Sequence, residues 1–260
     1  MSHTVSPKPP EISRLVALGA SNLTLGFSAV LGAARQAFGA EVEVLAALGY
    51  GRSYGSSSTV LIRTLPGILQ SGLWRELDRR PGVPTRAVIA DVGNDILYGF
   101  TPAQILGWVK EAVERLRGHT TDIALTNLPS VSIKRLSPAA FLFFRSVFFP
   151  PSRVLRDQAF ERVDEVNAGL EALASAMELR LIRLDPAWYG LDPIHIRPRY
   201  WPIAWRRIVA GDSEDASGFS MRELARLHLL PPERRFLAGV EQIAPQSGRK
   251  LRRGGRLWIY

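Results

Sequence analysis

The 260-residue sequence has no cysteine, three methionines, four histidines and no apolar run close to a membrane span of about 18 residues. The missing cysteine excludes disulfides, thiolate metal sites and a thiol nucleophile. It leaves the compartment open. The scarcity of histidine means that an imidazole base can come only from His3, His119, His195 or His228. Acids are outnumbered by bases, 24 to 33, which gives a net charge of +9. The first eleven residues are polar and proline-rich, without the apolar stretch of a secretion signal, so the expected location is cytoplasmic. A hydrophobic content of 46% with 22% charged residues is that of a globular chain and excludes wholesale disorder.

Short apolar segments alternate with segments of helical character. Strands are expected at Arg14–Gly19, Glu41–Leu48, Arg86–Val92, Asp122–Thr126 and Leu179–Leu184. Ser21–Phe38 reads as loop and helix, the helix from about Thr24, and further helices are expected over Ser56–Leu69, Thr101–Arg117, Arg156–Met177, Tyr200–Val209 and Ser220–Leu230. Five such alternations imply an α/β protein whose parallel sheet is covered by helices on both faces. The chain divides into a polar leader (1–13), a main domain (14–210) and a C-terminal helical extension with a basic tail (211–260). Residues 130–153 interrupt the main domain, with five phenylalanines within nine residues from Phe141 to Phe149. That segment suits either a wall over a pocket, formed by Phe141, Phe144 and Phe148, or a helix that completes the core. It suits a membrane contact less well, being short and lightly charged. The tail carries Arg249, Lys250, Arg252, Arg253 and Arg256 without an acid. It is either a solvated terminus or a contact for an anionic partner.

In such sheets ligands bind beyond the carboxyl ends of the strands. Four polar turns follow expected strands and fall on that edge. They are Gly19-Ala20-Ser21-Asn22-Leu23, the glycine-rich Gly49–Gly55, Gly93-Asn94-Asp95, and the loop with Asp192-Pro193-Ile194-His195. Ser21 at a strand-to-helix turn is either a helix cap or a nucleophile. His195 is the histidine on that edge, and Asp192 three residues earlier can orient its ring. Oxyanion donors are available from the Ser21 and Gly51 backbone N–H groups and the Asn94 amide. Gly49 is an alternative to Gly51. Two other serines compete for the nucleophile's role: Ser53, in the elbow-like Gly51-Arg52-Ser53-Tyr54-Gly55, and Ser213, in a literal Gly-Asp-Ser.

Taken together, these blocks resemble the SGNH (GDSL-type) hydrolase family over residues 14 to about 210. Gly93-Asn94-Asp95 is similar to the family's Gly-x-Asn-Asp, and Asp192–His195 matches its Asp-x-x-His. The family's first block has aspartate where this chain has Ala20, which removes a carboxylate that helps hold the loop. The resemblance implies a three-layer α/β/α, flavodoxin-like fold with a five-stranded parallel sheet. It also implies cofactor-free ester hydrolysis through an acyl-enzyme, with Ser21, Asp192 and His195 catalytic and Ser21, Gly51 and Asn94 at the oxyanion. The substrate would be a small-molecule, lipid or sugar acyl ester. Acyl transfer to an alcohol would use the same residues, and a non-catalytic binder using the basic tail is the reading from another class.

Overall fold

The computed structural model describes residues 12–211 and 216–260. Its strands are β1 (Arg14–Leu18), β2 (Glu43–Ala47), β3 (Ser58–Val60), β4 (Arg63–Leu65), β5 (Thr85–Ile89), β6 (Ile123–Thr126), β7 (Arg180–Ile182), β8 (Arg234–Leu237), β9 (Val240–Ile243), β10 (Arg249–Lys250) and β11 (Arg256–Ile259). Its helices are α1 (Ser21–Leu25), α2 (Phe27–Phe38), α3 (Leu73–Arg79), α4 (Asn94–Leu97), α5 (Pro102–Arg117), α6 (Ser130–Ile133), α7 (Pro138–Phe148), α8 (Arg156–Ala176), α9 (Trp201–Ala210) and α10 (Met221–His228).

The main sheet has the order β10-β11-β2-β1-β5-β6-β7. All of its pairs are parallel except β10 with β11. β1 is buried at every position, as a central parallel strand must be. Alternate residues serve the two faces. Val16 and Leu18 pack with Ile105 and Val109 of α5 and Val166 of α8. Leu15 and Ala17 pack with Val30 of α2 and Trp205 of α9. The result is a three-layer α/β/α arrangement. Local signals explain its helices. The Thr101 hydroxyl accepts from Gln104 N, the Gln104 side chain accepts from Thr101 N, and Pro102 opens α5 where no N–H is needed.

Four expectations are corrected. The five expected strands are present as β2-β1-β5-β6-β7, but the parallel set has a sixth member, β11, and β10 adds an antiparallel edge. The C-terminal stretch is therefore not helix and tail alone. After α10 the chain forms the β8–β9 hairpin, turning at Ala238 and Gly239 with φ of 47° and 82°, and then re-enters the main sheet. Arginine-rich flanks hid the apolar core of β11, Leu257-Trp258-Ile259, which is buried. Third, Ser56–Leu69 is not helical. It forms the β3–β4 hairpin, in which β-branched Thr59, Val60 and Thr64 sit on strands and Leu61 turns at φ 56°. The helix expected from about Thr24 to Phe38 is broken at Gly26, where a Cβ would lie 1.9 Å from the Trp205 ring nitrogen, and the stretch before the break, Ser21–Leu25, is helical too. Among the described residues no helix is long and apolar enough to cross a membrane.

Candidate active site

Strand register fixes where the loops emerge. Leu18 pairs with Ala47 on one side and with Ile89 on the other. The chain therefore leaves the sheet side by side after β1, β2 and β5. The order reverses at β1, since β2 lies on one side of it and β5 on the other, and such a switch point opens a crevice.

Asp91, just beyond β5, spans that crevice. One carboxylate oxygen accepts from Ala20 N (2.8 Å) and Leu23 N (3.0 Å), and the other from the Asn22 amide (2.9 Å). Asp91 has φ 61°, the left-handed region that non-glycine residues seldom occupy. This carboxylate holds the first turn of α1 and takes two of its N–H groups.

Asn22 reaches further. Its amide nitrogen also donates to Ile194 O (2.8 Å), and its oxygen accepts from Ile196 N (2.8 Å). One side chain therefore ties the turn after β1 to the loop that bears His195, more than 170 positions later. Within that loop Asp192 Oδ1 accepts from the backbone N–H of Ile194 and of His195, both at 3.1 Å. Asp192 Oδ2 faces His195 Nδ1 at 2.7 Å. Burial alone would raise the Asp192 carboxyl. The hydrogen bond and charge of His195, with the two backbone donors, outweigh it and hold the group below its ordinary value. With Nδ1 engaged, Nε2 is the ring nitrogen left for other partners.

Ser21, Gly51, Asn94 and His195 line one cavity of about 210 Å³. Gly51 has φ 62°, and a Cβ there would lie 2.6 Å from Val60 Cγ2, so glycine is required on two counts. Its carbonyl accepts from Tyr98 Oη at 2.6 Å. Gly49 lines a different cavity, with Phe27 and His228. The Asn94 amide donates to Arg52 O at 3.4 Å and retains a second N–H.

The competing groups lie elsewhere. Ser53 is fully buried, and its Oγ accepts from Ser56 N. His119 faces Asp78 at 3.0 Å, and His228 faces the Tyr50 hydroxyl at 3.0 Å. Ser213 and His3 lie outside the described residues.

A second cavity, of about 100 Å³, starts at Ser21 and Asn94 and runs inward. Its walls are mainly apolar: Ile96, Leu128, Ile133, Phe141, Phe144 and Phe148 among them. Phe144 stacks on Phe148 at 6.0 Å, and Phe148 stands edge-on to the His195 ring at 6.1 Å. The three phenylalanines expected at a pocket wall are all there.

Beneath the Gly51 loop lies Arg52, with no exposed surface. Its guanidinium donates to Pro66 O (3.0 Å), Leu48 O (3.1 Å) and Tyr260 O. Burial, with the charge of Arg63, brings its pKa down to about 9. Sequence reading missed Asn22, Asp91 and Arg52 as organisers of the site. Asn22 stands inside the first block, yet its partners become visible only once β1 and β5 are neighbours.

The sequence matches no protein-family model and no curated protein. Solved structures similar to it include TesA (17% identity, 75% of this chain and 95% of that one, TM-score 0.45). An esterase EstA from Pseudoalteromonas sp. shares 13% identity over 74% of this chain and 92% of its own, with TM-score 0.43. A lipolytic G-D-S-L family protein from Veillonella parvula shares 13% over 75% and 96%, with TM-score 0.46. The likeness is one of fold.

Proposed function

We propose that this protein is a serine ester hydrolase working through an acyl-enzyme. The observation that carries the reading is the Asp192–His195 pair at 2.7 Å, on a loop whose Ile194 O and Ile196 N are both held by Asn22, the residue next to Ser21. Ser21 is partly exposed, at the start of α1, in the same cavity as His195.

In this reading His195 Nε2 takes the Ser21 proton as Oγ attacks the acyl carbon. Asp192, held ionised, keeps Nδ1 protonated and stabilises the imidazolium. The oxyanion is met by the N–H of Ser21, the N–H of Gly51 and the Asn94 amide. Asp91 already occupies the Ala20 and Leu23 N–H groups, which leaves the Ser21 and Asn22 N–H groups at that turn. His195 returns the proton to the departing alkoxide, and the acyl group stays on Oγ. Water, deprotonated by the same imidazole, then attacks the acyl-enzyme and releases a carboxylic acid. The apolar cavity at Phe141, Phe144 and Phe148 accepts the acyl chain. An alcohol in place of water would make the protein an acyltransferase on the same residues.

Ser21→Ala is expected to lower kcat on p-nitrophenyl butyrate by about 10³-fold or more, with the fold retained. Full activity in that variant would reject the assignment.

A second reading has one observation behind it. Arg222, Arg226, Arg249, Lys250, Arg252 and Arg253 line a groove of about 930 Å³ between α10 and β10. Its one acid, Glu223, is engaged by Arg35 at 2.9 Å. A protein that uses this groove to hold an anionic partner, without catalysis, would not react with a fluorophosphonate. Labelling at Ser21 separates the two readings.

A further inference from the structure

Helix α7 is apolar nearly all round, which in a globular protein goes with burial on every side. Here only one side is covered. Phe141, Phe144 and Phe148 line the inner cavity, whereas Leu142, Phe143 and Val147 are 52%, 62% and 51% exposed. At 100° per residue those three fall within an arc of about 140°. Val131, on α6, and Leu155, just before α8, add two more exposed large apolar side chains in the same segment. Large apolar side chains exposed together on one helix face mark a contact site.

Charge decides what the contact is. Residues 130–156 carry Lys134, Arg135, Arg145, Arg153 and Arg156 and no Asp or Glu. Lys134 reaches Asp164 and Arg156 reaches Asp157, but Arg135 and Arg153 make no ion pair among the described residues. A second copy of this chain docked through the same face by two-fold symmetry would set cations against cations. An anionic lipid surface meets both features, taking up the apolar side chains and attracting the cations.

We propose that the outer face of α7 docks on an anionic lipid surface. Phe148, which follows Val147 and is itself 39% exposed, joins the exposed face to the candidate active site, because it also lines the apolar cavity and stands edge-on to the His195 ring. Docking therefore sets the cavity mouth against the surface, and an acyl chain passes inward along Phe148 and Phe144. That last step rests on the ester hydrolase reading; the docking does not.

The test uses Ser21→Ala protein, which cannot consume lipid, mixed with sucrose-loaded vesicles. Sedimentation with equal parts phosphatidylglycerol and phosphatidylcholine is expected to exceed that with phosphatidylcholine alone by about tenfold, and to weaken with added salt. Adding Leu142→Asp and Phe143→Asp should reduce it about tenfold, as should Arg135→Glu with Arg153→Glu. None of these changes, placed in otherwise unaltered protein, should move turnover of p-nitrophenyl butyrate more than twofold. The milder Phe143→Ser serves if the double aspartate variant does not fold. Equal sedimentation with both lipids, or undiminished sedimentation of the apolar and charge variants, would overturn the proposal. A dimer in gel filtration that Leu142→Asp disperses would assign the face to a second copy instead. Failed docking with intact turnover sinks the docking alone; turnover that survives Ser21→Ala sinks the hydrolase reading alone.

Discussion

Ala20 offers no carboxylate to hold the turn after β1, and the one that holds it comes from Asp91 across the crevice. Its three hydrogen bonds and left-handed backbone are local features of a loop under constraint. Asp91→Ala would leave the Ala20 and Leu23 N–H groups unpaired and free Asn22 from one of its anchors. A loss of about 1–3 kcal/mol in stability is expected. Loosening the turn should also lower kcat on p-nitrophenyl butyrate by about 10- to 100-fold, with KM little changed. Denaturant titration and steady-state kinetics on one preparation test both. Asp95 behaves differently. It is fully buried, Oδ2 accepts from Tyr54 N, and Oδ1 has no partner. Burial raises its pKa to about 6, against the pull of Ser53 and Tyr54. An unfolded aspartate titrates near 4, so between about pH 4 and 6 the folded state binds the extra proton. Stability from this group is therefore present below about pH 4 and is lost as the pH rises to 6 and beyond, by roughly 3 kcal/mol. Relative to Asp95→Asn, the unaltered protein should weaken across that window. A difference independent of pH would show that Asp95 does not titrate there.

At the scale of elements, what could be read from the sequence were the parts whose pattern is local. The buried strands β1, β2, β5, β6 and β7 are apolar runs, and α5 and α8 have clear periodicity. The Asp192–His195 spacing also sits within one loop. The β3–β4 hairpin was not legible, because Thr59 and Val60 sit in a polar stretch that supports a helix equally well by composition. The helix α3 was not anticipated either. Register was invisible too: Asn22 meets Asp91 only because Leu18 lies opposite Ile89. The phenylalanine segment was legible as apolar but not as two-sided, since a helix of this composition gives no sign of which face the core covers. Its inner face makes a prediction about the cavity. Phe144→Ala removes a ring stacked on Phe148 and opens space for a longer acyl chain. The ratio of kcat/KM for p-nitrophenyl octanoate over butyrate should rise about 10-fold or more, the size of effect one methylene produces in an apolar pocket. An unchanged or lower ratio would place the acyl chain elsewhere.

At the scale of the molecule, the C-terminal strand ties the far end of the chain to the site. β11 pairs with β2 from Arg256–Glu43 to Ile259–Ala46, and Tyr260 N donates to Ala46 O at 2.8 Å. Tyr260 O in turn accepts from Arg52, the residue after Gly51. The buried guanidinium already has an unpartnered Nη2, so its bonds from Nε and Nη1 to three carbonyls are costly to disturb, because any further freed N–H stays out of water. Trp258 pins the strand from the other side. It is 5% exposed, and the Arg80 guanidinium lies over its ring at 3.8 Å. Trp258→Ala should cost about 3–5 kcal/mol through the cavity it leaves. For a chain of this size that is a fall in Tm of about 10 °C or somewhat more. Because β11 leads to Tyr260 and so to Arg52, the same variant should lose kcat well below its new Tm, while a core substitution remote from Arg52, such as Leu170→Ala in α8, should not. Equal retention of kcat by both variants at 25 °C would mean that β11 supports the sheet without positioning the Gly51 loop.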